Sequence, residues 1–159
     1  MLNLLFVCMG NICRSPSAEA VMNKIIAENG LKEKIFCDSA GTIDYHEGEE
    51  ADPRMKEHAK KRGIFLTSIA RKIVPEDIDK FDIILAMDNE NLNDIKNMFN
   101  NEKYSGKIKL ITDFCSPNCI ADGVPDPYYG GPEAFEHVLD LLEDACMGLL
   151  NYLRKTHSI

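Results

Sequence analysis

The chain holds 159 residues, with 26 acidic against 18 basic side chains and a formal charge of −8. That length suits one domain with a core of its own, spanning 1–159, and is short for two. The acidic balance argues against the broad basic face of a nucleic-acid binder, and no apolar run is long enough to predict a membrane span.

Leu2-Asn3-Leu4-Leu5-Phe6-Val7 is short and apolar and predicts a buried first strand. It lacks the charged start and long apolar stretch of a signal peptide, so a cytoplasmic, reducing home is expected. Cys8-Met9-Gly10-Asn11-Ile12-Cys13-Arg14-Ser15 follows at once. Ser15-Pro16 then opens a helix, with Ser15 at the N-cap and Pro16 at the first helical position, and Gly30 stops it. Strand, loop and helix in that order aim backbone N–H groups at one spot and favour an anion there. The same field favours a cysteine thiolate. Arg14 adds a planar fork of donors suited to phosphate or a like oxyanion. A free cysteine is often a small buried hydrophobe. The strand before, the Gly10-Asn11 turn within and the Ser-Pro start after mark Cys8 as a nucleophile instead.

Farther along, Lys34–Asp38 predicts a second strand, and Asp52-Pro53 starts a helix that Gly63 ends. The run Lys60-Lys61-Arg62 reads as a solvated helix end. Pro75 begins a short helical turn through Ile78. Asp82–Met87 predicts a third strand, and Asp88 after it reads as a helix cap for 89–99. Lys107–Ile111 predicts a fourth strand, and the last helix runs from about Pro132 to Arg154, with an apolar stripe from Phe135 to Leu153. This alternation predicts an α/β fold, a parallel sheet with helices on both faces. Ligands bind such sheets beyond the carboxyl ends of the strands, where Cys8 falls. Six cysteines at 8, 13, 37, 115, 119 and 146 do not form a secreted disulfide framework. Cys115 and Cys119 lack a second ligand pair and read as loop thiols rather than a zinc site. His46, His58, His137 and His157 show no ligand spacing and read as surface residues. No cofactor or metal is expected.

Cys8–Pro16 with the preceding Val7 resembles the signature of the low-molecular-weight protein tyrosine phosphatases. Asp126-Pro127-Tyr128-Tyr129-Gly130 resembles that family's general-acid loop, and Asp38-Ser39-Ala40-Gly41-Thr42 its segment after the second strand. The resemblance spans nearly the whole chain. It implies a single three-layer domain with a four-stranded parallel sheet of order 2-1-3-4. It also implies hydrolysis of phosphotyrosine in proteins and of small aryl phosphates through a phosphocysteine. Phosphate and vanadate would inhibit.

On that resemblance Cys8 is the nucleophile. Phosphate rests on Arg14 and the loop from Met9, Gly10, Asn11, Ile12 and Cys13 to Arg14 and Ser15. Asp126 is general acid and then base. Ser15 assists the sulfur, Asn11 anchors the loop with Ser39 as a partner, and Tyr45, Tyr128 and Tyr129 wall the slot. Ser68 stands where some members carry a histidine. Cys13 is placed to form a redox bond with Cys8.

Three other readings stand beside this one. An arsenate reductase-like enzyme on the same fold needs resolving thiols on a mobile segment, and no cysteine lies between Cys37 and Cys115. Arginine phosphatases carry Thr where this loop has Ile12. A non-catalytic anion-binding module would need neither a nucleophile nor an acid.

Overall fold

The computed structural model describes residues 1–119 and 121–159. At its centre lie four parallel strands, β1 Leu2–Cys8, β2 Ile35–Gly41, β3 Ile83–Ala86 and β4 Ile108–Leu110, in the order β2-β1-β3-β4. The expected order 2-1-3-4 is therefore the order found. β1 pairs with β2 from Leu2 opposite Ile35 to Cys8 opposite Gly41, and with β3 from Leu4 opposite Ile83 to Val7 opposite Ala86. Crossovers between parallel strands carry the helices α1 Arg14–Glu28, α2 Pro53–Lys60, α3 Asp77–Lys80 and α4 Asn89–Met98, and α5 Pro132–His157 closes the chain.

Successive strand side chains point to opposite faces, and β1 uses both. Leu4, Phe6 and Cys8 enter a core with Met22 of α1, Met55 of α2 and Leu142 of α5. Leu5 and Val7 enter a second core with Ile78 of α3 and Ile95 of α4. Helices thus cover both faces, which makes three layers. A continuous apolar strand is what two buried faces require. α5 lies flush against the 3₁₀ turn Ile111–Phe114: a Cβ at Gly148 would fall 1.7 Å from the Phe114 carbonyl oxygen. Close approach explains a glycine in mid-helix, where it costs roughly 0.5–1 kcal/mol relative to alanine.

Local signals fixed several boundaries. Asp52 caps α2 by accepting from the backbone N–H groups of Arg54 and Met55, with Pro53 at the start of the helix. Asp88 caps α4 by accepting from Asn91. Other boundaries moved. α1 begins at Arg14, with Cys13 at the cap position and no capping side chain. Ser15 is therefore already inside the helix, and its hydroxyl is directed to the Cys8 sulfur and Asn11. β2 runs to Gly41, three residues beyond the sequence expectation, because pairing with β1 continues to Cys8. Ahead of β4, at the amino rim of the sheet, Glu102–Lys107 forms a 3₁₀ turn with no buried residue.

Among the described residues, no helix is long and apolar enough to cross a membrane.

Candidate active site

The site forms where β1 ends. From Cys8 the chain loops round to α1, and the loop's carbonyls are tied outward. Cys8 O accepts from Thr42 N at 2.9 Å, Met9 O from Ile43 N at 3.2 Å and Ile12 O from Asp52 N at 2.9 Å. Asn11 sits at a φ of 58°, the left-handed region that asparagine tolerates better than most residues. Its N–H donates to the Cys8 sulfur at 3.2 Å, so the loop curls around that atom. Gly41 of β2 passes so near that a Cβ would lie 2.6 Å from Met9 O.

Cys8 Sγ also lies 3.0 Å from Ser15 Oγ, and Ser15 receives the Asn11 amide at 2.8 Å. The other end of that amide, Oδ1, accepts from Arg71 N at 3.0 Å. Asn11 therefore braces the loop against the segment before α3. Among the described residues the Ser68 hydroxyl is buried without a hydrogen-bond partner, and the Ser39 hydroxyl makes no bond to Asn11 but bears on the Glu19 carboxyl. Ser39 thus does not take the place beside Asn11 that the family pattern gives it; the backbone of Arg71 does.

Arg14 is 4% exposed. One guanidinium nitrogen donates to Asp88 at 2.5 Å and to Val124 O at 3.1 Å. The other lies 3.8 Å from an Asp126 carboxylate oxygen. Burial opposes its charge, but Cys8, Asp88 and Asp126 outweigh burial and hold its pKa above the ordinary value. Asp88 thus both caps α4 and anchors the buried Arg14, a second role that sequence spacing did not reveal. Asp126 accepts from Tyr128 N at 3.1 Å, an Asp turn that fixes its carboxylate at the rim. The Cys13 thiol is pushed well up by burial, then by the charges of Asp52, Cys8 and Asp126.

Cys8, Met9, Gly10, Ile12, Cys13, Arg14, Tyr45, Asp126, Tyr128 and Tyr129 line one slot of about 310 Å³, with Ile43 and His46. Ile43 and His46 were missed from sequence. His46 is not a surface bystander: its ring lies 4.8 Å from Tyr45 and 6.4 Å from Tyr128 and pairs with Glu49. His58 is also turned inward, stacked 5.5 Å from Phe135 and bonded to Glu136 at 2.5 Å. A wider groove of about 770 Å³ shares Ile12, His46 and Tyr128 with the slot and extends past Lys56 and Lys60 to Phe65.

A thiol in a curled loop, a buried arginine and a rim carboxylate thus meet at the carboxyl edge of a parallel sheet, an arrangement suited to an oxyanion. Comparison with known proteins is more specific. The family model described as "Low molecular weight phosphotyrosine protein phosphatase" matches residues 3–158. A Synechocystis sp. relative bearing the family's name is 52% identical over 154 residues, covering 97% of this chain and 98% of its own. The low molecular weight protein-tyrosine-phosphatase of Bacillus subtilis is 41% identical, covering 98% of this chain and 97% of its own. A protein tyrosine phosphatase from Entamoeba histolytica superposes with a TM-score of 0.95 at 49% identity, covering 99% of both chains. The chain belongs to the low molecular weight phosphotyrosine protein phosphatases, a family of hydrolases.

Proposed function

We propose that Cys8 attacks the phosphorus of an aryl phosphate, above all of phosphotyrosine in proteins, and that turnover passes through a phosphocysteine. The observation that carries this reading is the Cys8 sulfur, 3.0 Å from Ser15 Oγ and 3.2 Å from Asn11 N, in a slot shared with Arg14 and Asp126. The sulfur lone pair forms the S–P bond as the bond to the phenolic oxygen breaks. Asp126 gives that oxygen its proton. It then takes a proton from the water that attacks phosphocysteine, and Cys8 departs as a thiolate helped by the Ser15 hydroxyl. The Arg14 fork and the N–H groups of Met9 to Ser15 hold the three equatorial oxygens in place. Arg14 is anchored before substrate arrives, so little reorganisation is left for the transition state.

Tyr45, Tyr128 and Tyr129 give the slot aromatic walls, which suits a phenyl ring. The adjoining groove past Lys56 and Lys60 leaves room for peptide flanking the phosphotyrosine. Ile12 favours phosphotyrosine over phosphoarginine, whose phosphatases carry Thr there. Phosphate and vanadate act as inhibitors by occupying the anion loop. Residues 1–159 act as one phosphatase domain, since Cys8 and Asp126, far apart in the chain, share one slot. The free cysteines suit a cytoplasmic, reducing compartment. Cys13, buried in the same loop, serves as a resolving thiol when Cys8 is oxidised to a sulfenic acid.

Two variants test the catalytic reading. Cys8→Ser abolishes turnover and still binds phosphate or vanadate. Asp126→Asn slows phenyl phosphate hydrolysis by roughly 10²–10⁴-fold, and the loss shrinks when the leaving group is acidic enough to depart unprotonated. Substantial turnover by Cys8→Ser, or an equal Asp126→Asn loss for both leaving groups, overturns the assignment.

A further inference from the structure

Away from the slot, three potential metal ligands converge that the catalytic reading leaves unused. Cys115 follows the Ile111–Phe114 turn, Cys119 closes the next turn through its N–H to Ser116 O at 2.9 Å, and Asp144 lies on α5. The two sulfurs are 3.5 Å apart. Their ligand atoms and a carboxylate oxygen of Asp144 all lie within 4.8 Å of one another, and all three residues are half-buried. None of the three lines the catalytic slot.

We infer that Cys115, Cys119 and Asp144 form a binding site for a thiophilic cation of the zinc class. The argument rests on distances first. Two thiolates bound tetrahedrally at about 2.3 Å from zinc stand about 3.8 Å apart. The observed 3.5 Å needs only a small adjustment. A disulfide needs the sulfurs to close to about 2.05 Å, a far larger movement. The carboxylate is already oriented: Ser116 donates to Asp144 through both its N–H and its hydroxyl, each at 2.7 Å. Partners of that kind fix the direction of a ligating carboxylate and tune its affinity.

Ligand type then selects the ion. Thiolate pairs favour zinc-class and softer cations and reject magnesium and calcium, which seek oxygen. Three protein ligands leave the fourth tetrahedral position to water. Each thiol loses its proton to solvent as its sulfur–metal bond forms, so binding weakens at low pH. The third ligand lies 28 residues beyond Ser116 and on another element, which is why the Cys115–Cys119 spacing alone reads as loop thiols. The bound cation would fasten the loop that precedes Gly123–Asp126 to α5, a brace for the segment that carries the general acid. It takes no part in the chemistry at Cys8.

The test is an anaerobic Zn²⁺ titration of reduced protein against a chromophoric chelator. Cys8→Ser protein is run alongside, to remove the catalytic thiol as a rival ligand. One equivalent is expected in the Cys8→Ser protein. Adding Cys119→Ser or Asp144→Asn should weaken binding by at least about 10-fold, with far-ultraviolet circular dichroism confirming the fold. Co²⁺ should give a thiolate charge-transfer band whose intensity falls in Cys119→Ser, which keeps one sulfur ligand, and excess Mg²⁺ should not displace Zn²⁺. Binding that vanishes with Cys8→Ser alone, or that ignores both added variants, overturns the site. So does a reduced protein that takes up no zinc, even if its oxidised form links Cys115 to Cys119.

Discussion

Replacing Gly41 with alanine should damage catalysis without touching a catalytic side chain. A Cβ there would stand 2.6 Å from Met9 O, 3.1 Å from Ile43 O and 3.3 Å from Asn11 Cβ, whereas ordinary contact starts at 3.4 Å. Two of these neighbours are backbone atoms and cannot swing aside. The Met9 carbonyl must retreat by about 0.8 Å, and overpacking of this kind costs typically 1–3 kcal/mol. That carbonyl accepts from Ile43 N at 3.2 Å, and weakening the bond adds about 1 kcal/mol. We expect a total loss of about 2–4 kcal/mol, or a Tm lower by roughly 4–16 °C for a domain of this size. Met9 follows Cys8, the proposed nucleophile, directly, so displacement of this loop by most of an ångström should lower kcat/KM by about 10²-fold. Both quantities are measured on one preparation, thermal unfolding by circular dichroism and turnover of an aryl phosphate well below the Tm. Gly106→Ala is the control, because nothing lies within 4 Å of its added methyl group. A Gly41→Ala protein with lowered Tm but intact kcat/KM would refute the coupling of β2 to the anion loop. Unchanged values of both would refute the close contact itself.

Three further predictions follow from the same geometry. Asp88→Asn removes the charge that anchors Arg14 at 2.5 Å, and should cut kcat/KM by roughly 10–100-fold, the worth of a charged hydrogen bond; an unchanged kcat/KM would leave Asp88 as a helix cap alone. Burial, with Asp38 adding to it, pushes Glu19 up to about 7 from an ordinary 4.5. A carboxyl that binds its proton more tightly when folded lends stability in full below pH 4.5 and loses it as pH rises to about 7, about 3 kcal/mol in all. Glu19→Gln should therefore flatten the fall of stability across that window and raise Tm at pH 8, and a wild-type-like pH profile would count against the shift. Peroxide followed by a thiol reductant should inactivate and then restore the wild type, with a Cys8–Cys13 crosslink seen by mass spectrometry. Cys13→Ser should recover less, and equal recovery without the crosslink would make Cys13 a packing residue only.

What could be read from the sequence was local. The β1–loop–α1 unit, with Cys8, Arg14 and Ser15, lies within one short stretch, and the Asp52 and Asp88 caps sit one residue ahead of their helices. Asp126 was found only because its flanking residues resemble a family loop. The contacts that hold these groups in place are distant in the chain. Arg14 is anchored by Asp88 and Val124, 74 and 110 residues away, and Asn11 by Arg71, 60 residues away. In a parallel sheet every strand ends on the same rim, so separate crossovers deliver residues to one place with no periodic trace in the sequence. His46 illustrates the cost: its neighbours Tyr45 and Glu49 are local, but the partner that turns it into a wall residue, Tyr128, is not.

The exposed 3₁₀ turn at Glu102–Lys107 shows the other side of that asymmetry. It leads into β4 at the amino rim, while Cys8, Arg14 and Asp126 all gather at the carboxyl rim. No residue of the turn is buried, and Gly106 has open space around it. Tyr104 packs on the second core and Lys107 Nζ donates to Ile78 O, but chain inserted at Gly106, between them, would leave both contacts and the slot in place, and doubling a loop's length costs only about 0.6 kcal/mol of closure entropy. This molecule can therefore lengthen, carry a reporter or acquire a tether at one pole while its chemistry stays fixed at the other.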